Sequence, residues 1–138
     1  MKAKIKRIIP VFLVVLAIMG TGISTYAASK VSITLAANQA WTKKYAASRS
    51  KQNSNVLARC HSVYPRYGGT DNFQKIQCRI VDGAGTQMCY EVVTLSETAT
   101  GNTSIPIRNG FLNASTAYFQ FRGNTSSAAN AVVSYYGN

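Results

Sequence analysis

Acidic side chains are scarce in this chain: 138 residues carry four Asp and Glu together, beside a single His. Acid–base and nucleophilic catalysis need several titratable groups converging on one point. The inventory is too thin to identify such a set, and the chain is expected to be non-catalytic. Asp71 and Asp82 fall in turn-forming stretches, where Asx hydrogen bonding accounts for them. A hydrolase acting on cell wall or glycan would require Asp71, Glu91, His61 and Cys89 to share one cleft. A Cys-x-x-Cys pair is also missing, and Cys60 and His61 are sequence neighbours that a strand points to opposite faces, so no zinc site and no cofactor are expected. Long apolar runs are missing too. The longest useful one, Ile8 to Met19, is twelve residues with Pro10 inside it, whereas a spanning helix needs about 20.

What is present begins with a leader. Lys2, Lys4, Lys6 and Arg7 precede the apolar run, which ends in Gly, Ser and Thr up to Thr25-Tyr26-Ala27. That is the layout of a secretory signal peptide over residues 1–27, cleaved after Ala27 with no retained membrane span. Residues 28–138 then form a single secreted domain, expected outside the cell or on its wall. It keeps eleven Lys and Arg against all four acids, a net charge of +7. A positive surface on an exported protein fits polyanionic surroundings, here an anionic cell-wall polymer or glycan; nucleic acid is not expected as the partner.

Phe73 to Leu95 organises the domain. Ile76, Cys78 and Ile80 alternate with Gln77 and Arg79, and Met88 to Thr94 alternates again after Asp82-Gly83-Ala84-Gly85. Period-two alternation around a Gly-rich turn reads as a hairpin. A two-residue loop at Gly83-Ala84 would set Cys78 opposite Cys89 and bury Glu91, at a cost of about 2–7 kcal/mol for an uncompensated polar group. The favoured register has a three-residue loop with Gly85 left-handed. It pairs Ile80 with Met88 and Ile76 with Val92, turns Cys78 inward and Cys89 outward, and lets Glu91 pair with Arg79 or Lys75. Three cysteines leave one over. The preferred bridge is Cys60–Cys78, with the loop Arg66 to Asn72 folding Val56–Tyr64 against Phe73–Val81. The other two pairings and three buried thiols stay open.

The remaining elements follow the same rhythm. Lys30–Ala36 is a strand with Val31, Ile33 and Leu35 on one face. Ala40–Ser48 alternates as a strand but also repeats every four residues as a helix would, and strand is preferred. Ser48–Asn55 is a polar, exposed loop. Ser104–Arg108 alternates with Pro106 outward, the mark of an edge strand through which copies of the chain can self-associate. Thr116–Arg122 directs Ala117, Phe119 and Phe121 inward and Tyr118, Gln120 and Arg122 outward. Ala129–Tyr136 is apolar on both faces, as in a central strand. About eight short strands without a long helix predict an all-β domain, an antiparallel β-sandwich or jelly-roll-like fold. Lys43, Lys44, Arg49 and Lys51 cluster beside Trp41 and Tyr45 and form the candidate binding patch, since cations attract an anion and aromatic rings supply a flat apolar platform.

The basic leader, the Thr25-Tyr26-Ala27 processing site, the short basic β-rich domain and the ending Ser134-Tyr135-Tyr136 together give a layout. In it the chain resembles the small exported β-sandwich proteins of Gram-positive bacteria, including those grouped with lactococcin-972-type bacteriocins. Tyr135-Tyr136-Gly137-Asn138 is also similar to the start of the YGNGV box of pediocin-like bacteriocins, which is N-terminal in that group and here ends the chain without the Gly-Val. No functional residue carries over from either. The resemblance implies a secreted antibacterial protein as the alternative to a non-catalytic surface-binding module.

Overall fold

A computed structural model describes residues 29–138. The leader and its cleavage site lie outside the described residues. Eight strands form two four-stranded antiparallel sheets, the all-β sandwich expected from the alternation. In chain order they are β1 Val31–Leu35, β2 Tyr45–Ser48, β3 Val56–Pro65, β4 Lys75–Val81, β5 Val93–Ser96, β6 Thr103–Ile105, β7 Thr116–Gly123 and β8 Ala129–Tyr136. Sheet A runs β1-β8-β3-β6 and sheet B runs β2-β7-β4-β5. Among the described residues no helix is long and apolar enough to cross a membrane.

The inward positions are those the alternation marks. Ile33 and Leu35, Ala117, Phe119 and Phe121, and Ala129, Ala131 and Val133 are all buried between the sheets. Each large apolar side chain enclosed there contributes about 1.5–3 kcal/mol relative to exposure. β8 is central in sheet A, flanked by β1 and β3. A tilted aromatic cluster closes one flank of the core, with Phe119 and Tyr135 centroids 5.0 Å apart and Tyr45 6.0 Å from Tyr135.

Sheet assignment departs from the sequence reading. β3 and β4 do not pair; they lie in different sheets, and of the consecutive strand pairs only β4 and β5 share one. Cys60 on β3 and Cys78 on β4 therefore stand on opposite walls of the core, and the expected disulfide is not formed. Cys60, Cys78 and Cys89 are free and buried. Burial, with Glu97 adding to it, pushes the Cys60 thiol up to about 11.

The organising hairpin starts in the favoured register and then leaves it. Gly85 is left-handed at φ 91°, Val81 bridges Gln87, and the Met88 amide donates to Ile80 O at 2.8 Å. Asp82 Oδ1 accepts the amides of Ala84 and Thr86, the Asx bonding expected of a turn. Beyond Met88 the chain crosses toward sheet A, where Cys89 bridges Ile107 and Arg108 N donates to Met88 O. It returns only at Val93, so that Ile76 pairs with Leu95 rather than Val92. Cys89 is consequently buried instead of outward, and its Sγ accepts the Ile80 amide at 3.3 Å, filling a gap in the ladder that the departing strand leaves. Glu91 sits on the exposed excursion.

Of Ala40–Ser48 only Tyr45–Ser48 is strand. The Ser104–Arg108 strand shortens to Thr103–Ile105, which edges sheet A with the exposed Pro106 just beyond it.

Candidate functional site

β4 and β7 are the inner strands of sheet B, and both carry Gln-x-Arg at outward positions: Gln77 and Arg79, Gln120 and Arg122. Their antiparallel register sets Gln77 opposite Arg122 and Arg79 opposite Gln120. Each glutamine thereby faces an arginine, and each Gln Oε1 accepts the guanidinium Nε across the strands, from Arg79 at 3.0 Å and from Arg122 at 2.6 Å. Such tethering orders both guanidiniums and leaves their Nη edges for other partners.

Trp41 lies over this checkerboard. The Arg79 and Arg122 guanidinium carbons are each 4.4 Å from the centroid of its ring. The indole is placed by the residues around it. Thr42 N donates to Phe121 O, Phe121 N donates to Thr42 Oγ1, and Gln120 Nε2 donates to Thr42 O. Just upstream, Asn38 and Gln39 are both left-handed, at φ 63° and 56°, a conformation that costs most residues about 1–3 kcal/mol. The Gln39 amide holds that bend by donating to Gly123 O and Asn124 O, and Asn38 N donates to Ser126 O. A strained bend kept by three contacts to the end of β7 and the turn that follows it sets where Trp41 lands.

Two like charges on one ring repel. Arg79 is lowered from its ordinary value, first by burial and then by the neighbouring Arg122. The four acids are occupied or elsewhere: Asp71 accepts the Phe73 amide, Asp82 holds its turn, Glu97 accepts the Val63 amide and Glu91 is on the excursion. The expected pairing of Glu91 with Arg79 or Lys75 gives way to the Arg79–Gln120 contact because the hairpin leaves register before Glu91. Lys75 is exposed on β4 in the same outward row as Gln77 and Arg79.

The patch expected around Trp41 is divided by β2. Thr42 lies beside Phe121 and Ser48 beside Thr116, five residues and about 17 Å further along β7. Trp41 and Lys44 belong to the sheet B face, with Lys44 Nζ donating to Gly83 O at 2.7 Å. Lys43 is exposed, its Nζ 5.4 Å from the Tyr45 centroid. Tyr45 itself turns into the aromatic cluster against Phe121 and Tyr135. Lys51 is exposed at the far end, where its amide donates to Asn138 O. Arg49 is no contact residue at all: it is 4% exposed, and its Nη groups donate to the carbonyls of Phe111, Ala114, Gln52 and Ser54. A buried cation among carbonyls staples the 49–54 loop to the 111–114 turn.

The residues named for a hydrolase are not brought together. His61 occupies a bulge of β3 on the outer face of sheet A, with Nε2 2.9 Å from Ser134 Oγ, while Cys89 is inside the core and Asp71 and Glu91 are on separate loops. Among the described residues no three His, Cys, Asp or Glu side chains converge as metal ligands. Sequence reasoning missed Arg79 and Arg122 as a pair. The repeated Gln-x-Arg was the available signal, and only the register of β4 on β7 turns it into a site. Comparison with protein-family models, with curated proteins and with solved structures finds no match for the chain.

Proposed function

We propose that the chain is a non-catalytic exported binding module that takes the anionic groups of a cell-wall polymer on the outer face of sheet B. The observation that carries this reading is the pair of glutamine-tethered guanidiniums on the Trp41 ring. Their mutual repulsion is unrelieved in the free protein and is relieved by an anion between or above them. Arginine offers two parallel donors to a phosphate or carboxylate, and a guanidinium already held at Nε loses little freedom when it binds. Lys75 and Lys44 extend the positive surface along the same sheet, so the face suits a repeating polyanion better than a single small anion.

The test is retention of the purified protein on washed Gram-positive cell walls, with and without their phosphate polymers, from about 50 to 500 mM salt. Retention should fall with salt and with polymer removal. Arg79→Gln or Arg122→Gln should weaken it about 10- to 100-fold, the loss expected for one charge-assisted contact of about 1.5–3 kcal/mol. Protein that stays in the supernatant at every salt concentration would sink the reading and favour the antibacterial alternative, which growth inhibition of neighbouring bacteria tests.

A further inference from the structure

Next to this face the sandwich opens at one end. Between the start of β4, the end of β7 and the inward residues Val63 and Ala129 of sheet A lies a cleft of about 240 Å³. A second lobe of about 350 Å³ continues it toward Tyr67, the two sharing Phe73 and Ser127. Lys75 aside, the walls are uncharged, unlike the neighbouring platform. Exposed amides and hydroxyls, Asn72, Asn124, Thr125 and Ser127, line the cleft together with the partly buried Phe73, and Tyr67, 82% exposed, lines the second lobe. Neutral donors and acceptors beside aromatic rings match a polyhydroxylated, uncharged unit: the hydroxyls exchange hydrogen bonds while the C–H face of a ring lies on the aromatic surface.

The cleft and the platform are contiguous. Gly123, in the cleft wall, follows Arg122 on β7, and Lys75, also in the wall, lies two residues before Gln77 on β4. The loop that fixes Trp41 bonds to Gly123 and Asn124 as well, so one bend shapes both places. We infer that the cleft is a sugar subsite and that the polymer bound is one in which phosphate alternates with sugar-bearing units, the phosphate on Arg79 and Arg122 and the adjoining sugar against Phe73 and Tyr67. This rests on the polyanion reading above and adds to it the requirement for an uncharged, hydroxyl-rich unit beside the charge.

The experiment compares binding of two probes by calorimetry at one salt concentration: inorganic polyphosphate, and a glycosylated poly(glycerol phosphate) of similar charge number. The glycosylated polymer should bind about tenfold more tightly. Tyr67→Ala combined with Asn124→Ala should erase that preference and leave polyphosphate binding unchanged, and the exposure of both residues keeps the fold intact, which a thermal melt verifies. Arg79→Gln should weaken both probes equally. Equal binding of the two probes by the unaltered protein, or a preference that survives in the double variant, overturns the sugar subsite while leaving the polyanion reading in place. If neither probe binds, the polyanion reading falls and the subsite with it.

Discussion

Arg49 and the Arg79–Arg122 pair carry the same side chain into opposite circumstances. Arg49 is enclosed, its Nη groups saturated by four backbone carbonyls and only its Nε left without a partner. Arg79 and Arg122 are half-buried, tied at Nε alone, and set against each other on one indole. The first arrangement serves folding, because it ties the carbonyls of two turns to one side chain. The second leaves donor edges and an unrelieved repulsion, a property of no use to the fold and of direct use to an anion. Local charge density in the sequence points to Arg49, which is buried, since Arg49 has three lysines within six residues and Arg122 has none.

Removing Arg49 is the strongest way to test that division. Arg49→Met should cost about 2–4 kcal/mol, from lost charge-assisted bonds and carbonyls left without partners, and lower the melting temperature by roughly 10–20 °C. At temperatures where the variant is folded, polymer retention should match that of the unaltered protein. Weaker retention with an unchanged melt would place Arg49 in the site after all. Gly137→Ala attacks the same corner from the other side. A Cβ on Gly137 would intrude on the backbone of Ser48, and an overpacked backbone contact costs about 1–3 kcal/mol. Fraying of the last residues relieves part of it, so hydrogen exchange should speed up at the Lys51 amide, which donates to Asn138 O. The YGN ending that resembles a bacteriocin box is thus placed by packing: Tyr135 fills the aromatic cluster and Gly137 permits close approach to β2.

The strands were legible because inward and outward residues alternate, and the three-residue turn was legible because a glycine, Gly85, stands where that loop needs a positive φ. Sheet membership was not. Alternation says which face of a strand is buried but not which strand lies beside it, and most connections here pass from one sheet to the other. The preferred Cys60–Cys78 bridge assumed that neighbours in sequence pair, and it failed for that reason. The outward placing of Cys89 failed because three extra residues enter the hairpin, so that the chain leaves the ladder at Met88 and rejoins it at Val93 with the opposite face inward. Trp41 was found from its type and its basic neighbours, whereas Arg79 and Arg122, forty-three positions apart, became partners only through register.

Titration separates the core from both arginine regions. The folded Cys60 thiol holds its proton to about 11 against an ordinary value of 9.0, so only the unfolded chain ionises in between. Stability from this group is complete below pH 9 and is lost as the pH rises from 9 to 11, and Cys78 is shifted in the same direction. Cys60→Ala should flatten its share of that alkaline decline in denaturant melts. His61 acts at the other limit: burial, then Arg59 and Lys30, lower its value, so its contribution is present above 6.5 and is lost as the pH falls. An alkaline decline that persists undiminished in Cys60→Ala would assign it to other groups.

The smallest expected change is the most informative about the pair. Arg79→Gln gives up the contact to Gln120 and one cation–π contact worth about 0.5–1 kcal/mol at an exposed site, and it removes the repulsion from Arg122. These effects oppose each other, and the net change in stability should stay within about 0.5 kcal/mol. A cycle with Arg122→Gln isolates the interaction between the two guanidiniums. In the free protein it should be unfavourable, the two arginines together being worse than the sum of each alone. With polyphosphate bound it should become favourable, since one anion then bridges both. A favourable coupling already present without the anion, or a loss of 2 kcal/mol or more from Arg79→Gln, would make the pair a structural clamp of the Arg49 kind and remove the physical ground for a binding face on sheet B.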